Sequence, residues 1–370
     1  MNEFTLVLLV VILCVVLWPF WQNQAQDQSE QKVDDERLRP LLRGINYLLN
    51  DDSEQALQAL LQVARMHTET AEVYLALGDM FRQKGEVGRA VRIHQSLLAR
   101  PDLESRLILE TQFALAKDYQ SGGFLDRAIK QYDKILHVKW NHLPALQASL
   151  RIYEQTASWN EALSCLDLLR QVEEKDVSLH RAYLLVEIAL LLPLGKERHR
   201  LLESAIATNN NCQHAWLCLI EASIHDHDFP LAKKMISNMF VYTPDMIELV
   251  PVYFPDVLDE LYDELMRYWL ICHSQALALN WMDVVHDRQG ELAMLALRDA
   301  LVFKPAFLST HLRYIALTSK DKNLREKAIS WKKTVTNYCC HACGVRVLSM
   351  RWQCPQCHCW GQMYSLLDEV

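Results

Sequence analysis

The first long apolar stretch of the chain lies at its N-terminal end. Residues 4–21 carry no charge and end in Trp18, Phe20 and Trp21. At about 1.5 Å per residue this stretch crosses most of a hydrocarbon core of about 30 Å, and its terminal aromatic residues suit a membrane–water interface. A cleaved signal peptide is disfavoured, because no basic residue precedes the stretch and tryptophans end it. The pattern therefore predicts an uncleaved transmembrane anchor over residues 1–21.

Basic residues near this anchor predict its orientation. No lysine or arginine precedes it, whereas Lys32, Arg37, Arg39 and Arg43 follow it. Since cytoplasmic flanks carry the excess of positive charge, the C-terminal bulk is expected in the cytoplasm, attached to a membrane by a single pass. Residues 22–36 are polar and cannot bury a core, so they are expected to form a linker.

From residue 37 onward, small, aromatic and alanine positions recur together. An aromatic residue lies three positions after each small one and an alanine twelve positions after it, and successive copies are 34, 38 and 34 residues apart. The three sets are Gly44, Gly78, Ala116 and Leu150, then Tyr47, Phe81, Tyr119 and Tyr153, then Ala56, Ala90, Ala128 and Ala162. This pattern is typical of tetratricopeptide (TPR) repeats, whose paired helices approach closely through small residues. Leu150 is the one large residue among the small positions.

The repeat weakens after the fourth copy. Residues 183–205 leave room for one irregular unit, and residues 216–244 keep the repeat spacing. The prolines within 250–255 predict an irregular connection, because proline removes a backbone donor and ends helices. We expect an all-α TPR solenoid over residues 37–318, followed by a charged linker or helix over residues 319–333.

The first helix of each repeat is expected to line an inner face that holds a protein segment. Charged residues at such positions in the second to fourth repeats form the predicted partner-binding surface: Glu72, Asp79, Arg82, Lys117, Arg151 and Glu154. Each of them taken singly is more simply explained as a solvated surface charge. The prediction therefore depends on the repeat architecture rather than on any single residue.

Composition and the absence of common catalytic motifs disfavour two classes of function, nucleic-acid binding and enzyme activity. The net charge is −8 and no basic stripe alternates with aromatic residues, which disfavours nucleic-acid binding. The chain has no P-loop, GxSxG or HExxH motif, so we expect no enzyme activity. His225 to Asp228 read His-Asp-His-Asp, and the repeat register places them in a solvated turn between helices. His94 is expected to be a packed structural residue.

The most specific chemical signal is a cluster of cysteines near the C-terminus. Two matched Cys-x-x-Cys pairs are predicted to hold one structural metal ion, iron or zinc, with the ligands Cys340, Cys343, Cys354 and Cys357. Four thiolates leave no open coordination position, so the site is expected to be structural. Gly344 and His358 follow the two pairs, where a positive φ lets backbone N–H groups point at sulfur. His341, His358 and Cys359 are alternative ligands that break the paired spacing.

The remaining cysteines and the small size of the module both favour the prediction of a metal site. The other cysteines outside the cluster (Cys14, Cys165, Cys212, Cys218 and Cys272) are scattered through apolar stretches, as free thiols are in a reducing compartment. Disulfides and a thioredoxin-like redox pair are therefore less consistent with the sequence. A module over residues 334–363 is too small to fold without its metal. Tyr338, Trp352 and Trp360 are expected to pack either on the solenoid or on a partner.

An anchor, TPR units and a rubredoxin-like four-cysteine module together resemble the lipopolysaccharide assembly protein B family of Gram-negative bacteria. The resemblance is strongest from Gly78 to Gln95 and from Tyr338 to Trp360, while His358 departs from the CPxCG form of rubredoxin. It implies an inner-membrane adaptor that works with an FtsH-type AAA+ membrane protease to promote degradation of the UDP-3-O-acyl-N-acetylglucosamine deacetylase. It also implies an opposing inner-membrane lipopolysaccharide-sensing regulator, and metal binding by the four paired cysteines.

Two other functions remain open from the sequence. The first is a general TPR scaffold that assembles envelope-synthesis proteins without a role in proteolysis. The second is a redox sensor built on the cysteine cluster, in which a mild oxidant would release the metal reversibly.

Overall fold

The structure is a computed structural model, and it describes residues 71–101, 103–272, 318–332 and 338–366, with isolated positions at 44, 46, 47, 55, 58, 277 and 315. The predicted anchor over residues 1–21 and the linker over residues 22–36 lie outside these residues. Within the described part of the chain, no helix is both long and apolar enough to cross a membrane.

The chain divides into two compact units, Met1–Ile152 and Tyr153–Val370. Between residues 71 and 155, the helices that begin in the first unit are α1 (Ala71–Gln83), α2 (Val87–Leu98), α3 (Ser105–Ser121), α4 (Leu125–Val138) and α5 (Leu143–Gln155). The boundary between the units falls inside α5. Turns of three to six residues join these helices, as in TPR hairpins.

In the first unit the residues of the repeat pattern form the contacts between helices. Gly78 and Ala116 lie buried on the first helix of their pairs, and Ala90 and Ala128 are fully buried on the second. The aromatic residue Phe81 is also fully buried, within the core that α1 and α2 share. These observations confirm the TPR-like pattern predicted for the second and third repeats.

His94 on α2 is fully buried between two helices, which confirms its expected structural role. Its ring lies against Gly78, where an added Cβ would be 2.3 Å from His94 Nε2. Its Nδ1 lies 2.5 Å from Oδ2 of the buried Asp118 on α3, and Arg82 donates to Oδ1 of the same carboxylate at 3.0 Å. A buried carboxylate needs such partners, since an unpaired charge there is costly.

The second unit continues the helical hairpins. The helices among its described residues are α6 (Trp159–Glu173), α7 (Ser178–Leu190), α8 (Lys196–Thr208), α9 (Gln213–His225), α10 (Phe229–Tyr242), α11 (Val250–Tyr253), α12 (Leu258–Cys272) and α13 (Lys322–Lys332). The irregular unit predicted over residues 183–205 is an ordinary helix pair, α7 and α8, which pack on each other. Cys165, Cys212 and Cys218 are buried thiols that form no disulfide, as expected.

Both interruptions predicted in this unit are present. The His-Asp-His-Asp segment begins at His225, the last residue of α9, and its final residue caps α10, because Leu231 N donates to Asp228 Oδ1 at 3.0 Å. The proline-rich connection consists of the 3-10 turn Pro244–Leu249, the short α11 and the 3-10 turn Pro255–Val257. Proline stands in the first turn of each of these pieces, where its missing N–H costs nothing.

The C-terminal cysteine module adds a small antiparallel sheet to a chain that was expected to be all-α. Its strands are β1 (Tyr338–Cys340), β2 (Arg346–Val347) and β3 (Met363–Ser365), in the order β2-β1-β3. Tyr338 pairs with Val347 on one side and with Ser365 on the other. Strands of two or three residues are too short to show alternation in the sequence, so the sequence analysis predicted none of them.

Candidate metal centre

The four paired cysteines converge on one point. Their sulfur atoms all lie within 4.8 Å of one another. The Sγ atoms of Cys340 and Cys357 are 3.7 Å apart, and those of Cys343 and Cys354 are 3.6 Å apart. A tetrahedral ion with metal–sulfur bonds of about 2.3 Å separates its sulfur ligands by about 3.8 Å. The donor set therefore fits a closed four-thiolate site for one structural metal ion, which matches zinc and iron equally well.

The two Cys-x-x-Cys turns have the same backbone geometry. Gly344 N donates to Cys340 O at 2.8 Å, and His358 N donates to Cys354 O at 3.0 Å. Both donors have a positive φ, 73° for Gly344 and 59° for His358. His358 adopts this left-handed conformation although it carries a side chain, so the turn overrides a local preference for glycine.

Hydrogen bonding favours the thiolate form of one of the four cysteines, Cys357. The backbone N–H of Cys359 faces the Cys357 sulfur, and with hydrogen bonds from Cys354, Cys343 and Cys340 it lowers the pKa of Cys357 to about 6. The thiolate is the form that binds metal, so these donors favour ligation at Cys357. Although a backbone hydrogen bond from Val345 opposes the change, desolvation and contacts with the other three sulfurs raise the pKa of Cys343 to about 12, so the four thiols do not ionise equally without a metal. Burial likewise raises the pKa of the core thiols Cys212 and Cys218 to about 12.

The module is held against the helices by one buried carboxylate. Glu154 near the end of α5 is 8% exposed. Trp360 Nε1 donates to Glu154 Oε1 at 3.0 Å, and Gln353 Nε2 donates to Glu154 Oε2 at 3.1 Å. His180 on α7 also contacts Oε1 through its Nε2 atom. Gln353 and Trp360 pair with each other across the second cysteine turn, so both donors are positioned by the metal-binding loop itself.

Two tryptophans of the module stack on helix side chains. Trp360 is buried and stacks on Tyr183 of α7, with ring centroids 5.5 Å apart and planes at 25°. Trp352 stacks on His214 of α9 at 4.7 Å and 13°. Burial, with a contribution from Arg198, lowers the pKa of His214 to about 4, so its ring is neutral against Trp352 at neutral pH. At Gly361 the backbone lies close to Tyr183, since a Cβ added to the glycine would be 2.7 Å from the Cε2 atom of Tyr183.

Tyr338, on the first strand of the module, joins the core of the helices. It is 7% exposed and belongs to the apolar cluster that contains Trp216, Ile236 and Leu261. Burial raises its pKa, and the nearby Glu248 carboxylate raises it further. Tyr338, Trp352 and Trp360 thus all pack on helices of the second unit. The sequence left open that these three rings pack on a partner protein. In the structure they pack on this chain instead.

The charges predicted to bind partners have different surroundings in the structure. Glu72, Lys117 and Arg151 are exposed, whereas Asp79 and Arg82 are partly buried. Arg82 pairs with Asp79 at 2.6 Å as well as with Asp118. Glu154 instead holds the cysteine module, so its carboxylate is engaged within the chain. Sequence reasoning did not single out His180, His214 or Gln353, because no local pattern distinguishes them from other polar helix and loop residues.

The chain is similar along nearly its full length to known proteins of lipopolysaccharide assembly. It is 27% identical over 383 residues to "Lipopolysaccharide assembly protein B" of Haemophilus influenzae, covering 96% of both chains. It is 26% identical over 380 residues to the protein of the same name in Escherichia coli K12, again covering 96% of both. No protein-family model matches the chain.

Solved structures with helical repeats also align with it. A tetratricopeptide repeat protein from Parabacteroides merdae aligns with a TM-score of 0.33 and 15% identity, covering 79% of this chain and 98% of that one. The C-terminal part of a TPR repeat-containing protein from Cytophaga hutchinsonii aligns with a TM-score of 0.36 and 12% identity, covering 72% and 96%. The TPR-like fold itself is established by the hairpins described above. The resemblance found in the sequence is confirmed, and this chain is homologous over nearly its whole length to proteins named lipopolysaccharide assembly protein B.

Proposed function

We propose that this protein is an adaptor of lipopolysaccharide assembly, held at the cytoplasmic face of the bacterial inner membrane by residues 1–21. The observation that carries the proposal is the similarity to lipopolysaccharide assembly protein B, which extends over 96% of the chain in both relatives. The TPR-like hairpins support an adaptor, because stacked helix pairs present extended surfaces to other proteins. In this proposal the chain carries out no chemical step of its own.

In its finer form, the adaptor presents the lipid A-committing deacetylase to an FtsH-type membrane protease for degradation. An anchor in the same membrane as the protease raises the effective concentration of each for the other without any additional contact. A lipopolysaccharide-sensing regulator in the inner membrane would oppose this activity by competing for the adaptor. These partners come from the family resemblance and are part of the proposal.

The metal ion has a structural role in this proposal. Cys340, Cys343, Cys354 and Cys357 would hold it, and four thiolates leave no position for a substrate. The ion would fold the turn that carries Gln353 and Trp360, and those two side chains bind Glu154. Metal binding would thereby hold the module against Glu154 and α7.

The half-life of the deacetylase is the measurement that tests the proposal. Cells lacking this protein should degrade the deacetylase several-fold more slowly, and the full-length chain should restore degradation. A chain without residues 1–21 should fold and yet fail to restore it. If the half-life is the same with and without the protein, the proteolytic role is wrong and a general scaffold for envelope-synthesis proteins is the better account.

Charge-reversal variants test which surface of the helices binds the deacetylase and the protease. Lys117→Glu combined with Arg151→Glu changes two exposed charges on first helices of the repeats. Lys130→Glu combined with Lys134→Glu changes two exposed charges on the second helix α4 and serves as the matched control. We expect the first pair to slow deacetylase degradation and to reduce recovery of the protease in crosslinked membrane extracts. Equal effects of both pairs would exclude the inner face as the docking surface.

A further inference from the structure

The cysteine cluster contains more sulfur atoms than one tetrahedral ion binds. Six cysteines lie between residues 339 and 359, and four of them converge on one point. The two others, Cys339 and Cys359, differ in their access to solvent. Cys339 is 6% exposed within β1, whereas Cys359 is exposed directly after the second Cys-x-x-Cys turn. Of these two thiols, Cys359 is therefore the one that a reagent in solution can reach.

The backbone holds Cys359 against that second turn. Cys354 N donates to Cys359 O at 2.9 Å, and the backbone N–H of Cys359 faces the Cys357 sulfur. His358 lies between Cys357 and Cys359 with a φ of 59°, which bends the chain there. The Sγ atom of Cys359 lies 3.9 Å from Cys357 O. These contacts hold the exposed Cys359 thiol beside Cys357.

The ligand sulfurs beside Cys359 differ in exposure. The Cys359 thiol faces the sulfurs of Cys357, Cys340 and Cys354. Cys340 and Cys354 are each 1% exposed, whereas Cys357 is half-buried. A disulfide joins cysteines whose Cα atoms are about 4.4–6.8 Å apart, and two residues separated by one left-handed residue lie within this range. Among these three sulfurs, Cys357 therefore combines access to an oxidant with a second thiol within bonding reach.

We propose that Cys359 is a resolving cysteine, which forms a disulfide with Cys357 after a peroxide has oxidised the Cys357 sulfur. First, the Cys357 thiol takes one oxygen atom from hydrogen peroxide and becomes a sulfenic acid, while the peroxide is reduced to water. The Cys359 sulfur then attacks the Cys357 sulfur. The S–S bond forms, the S–O bond breaks, and the hydroxyl group leaves as water with the proton of Cys359. Two equivalents of glutathione reduce the disulfide and become glutathione disulfide.

This disulfide would remove one of the four thiolates of the proposed metal site, so the ion would be lost. The hydrogen bonds that Gln353 and Trp360 donate to Glu154 would then loosen, because both donors lie on the turn that the ion folds. Without a resolving thiol, further oxidation of the sulfenic acid gives a sulfinic acid, which glutathione does not reduce. Cys359 thereby makes the loss of metal reversible. The proposal rests on the metal-binding role of the four cysteines and not on the proteolytic role.

Peroxide treatment of the full-length, metal-loaded chain tests the proposal. Elemental analysis first establishes the metal content, hydrogen peroxide is then added, and the remaining thiols are alkylated. Trypsin releases residues 352–370 as one peptide that contains Cys354, Cys357 and Cys359. Tandem mass spectrometry should find the alkyl label on Cys354 alone within this peptide, and a chromogenic chelator should detect the released metal.

Two variants distinguish a resolving thiol from an uninvolved one. Cys359→Ser keeps all four ligands. After peroxide, glutathione and fresh metal it should regain at least about fivefold less metal than the wild type, because its Cys357 is oxidised to the sulfinic acid. Cys339→Ser, which also changes a cysteine outside the set of four, is the matched control and should recover like the wild type.

Several results would overturn the proposal. An alkyl label on Cys359, together with a disulfide between two of the four ligands, would mean that Cys359 takes no part. Equal recovery of metal by the wild type and Cys359→Ser would mean the same. Metal content that peroxide leaves unchanged, or that is absent beforehand, would exclude the reaction altogether. The deacetylase half-life is measured separately, so failure of the proposed function and failure of this redox reaction are distinguishable.

Discussion

Trp360 donates its indole N–H to Glu154 at 3.0 Å, across 206 residues of sequence. The acceptor lies on a repeat helix, and the donor lies three residues beyond Cys357, the last of the four paired cysteines. The same carboxylate accepts from Gln353 on the other side of the cysteine turn. This contact joins the cysteine module to the helical repeats.

Removing the Glu154 carboxylate should loosen the module. Glu154→Ala leaves the Trp360 N–H without an acceptor in a buried site and leaves Gln353 Nε2 with the His358 carbonyl alone, so we expect the free energy of unfolding to fall by about 3 kcal/mol. Gln155→Ala, at the next and exposed position of α5, should change it by less than about 0.5 kcal/mol. Urea denaturation followed by circular dichroism measures both variants. Equal, small effects would mean that the module is held by its aromatic contacts alone.

Metal content should depend on four of the six cysteines in the C-terminal cluster. Cys354→Ser removes a ligand, and we expect loss of the metal, rapid proteolysis within residues 338–366 and a lower Tm, because metal binding supplies folding energy of about 10 kcal/mol or more. Cys359→Ser is the matched control, since Cys359 is exposed and lies outside the set of four. It should retain one metal ion per chain by elemental analysis. Metal loss in the control would bring Cys359 into the ligand set.

Two glycines of the first unit should respond oppositely to alanine. At Gly78 an added Cβ would be 2.3 Å from His94 Nε2, and Asp118 holds that ring in place, so Gly78→Ala should destabilise by about 1–3 kcal/mol. At Gly88, within α2, an added Cβ meets nothing within 4 Å. Gly88→Ala should therefore stabilise the helix by about 0.5–1 kcal/mol. Thermal and urea unfolding measure the change in stability of the two variants. A change of the same sign in both variants would contradict this prediction.

His214 should make the second unit less stable in mild acid. Its folded pKa of about 4 lies below its unfolded value of about 6.5, so between these pH values the unfolded chain binds a proton that the folded chain excludes. The contribution is complete above about pH 6.5 and declines as the pH falls, by about 1.4 kcal/mol at about pH 5.5.

The variant His214→Phe isolates this effect, because phenylalanine keeps a ring against Trp352 and cannot take up a proton. Unfolding free energies of wild type and variant, compared at about pH 7.5 and about pH 5.5, should show the extra loss in the wild type alone. Protonation of the cysteine ligands is common to both proteins and cancels in the comparison. Parallel pH dependences would show that His214 is not excluded from protonation in the folded chain.

Much of the architecture follows from local sequence. The spacing of Gly78, Phe81 and Ala90 predicted a helix pair, since small residues at that spacing are what close helix packing requires. The pairing of Cys340 with Cys343 predicted a metal-binding turn, and the structure gives Gly344 and His358 the same backbone bend. Both patterns are short-range, so a single sequence contains them in full.

The exposure of individual charges could not be predicted in the same way. Glu154 and Arg151 lie on the same helix, and both were expected on the partner-binding surface, yet Arg151 is exposed and Glu154 is buried under the module. Nothing near Glu154 in the sequence distinguishes it from a solvated charge. Its partners Gln353 and Trp360 come from a segment about two hundred residues away.

The repeat type, the convergence of four cysteines and the family resemblance could all be predicted from the sequence, because each is encoded in the spacing of nearby residues. The position of the cysteine module and the side chains that hold it could be seen only in the folded chain. The module is too small to bury Tyr338, Trp352 and Trp360 in a core of its own. They must bury their rings against whichever helices offer a matching surface, and that surface exists only after the repeats have packed.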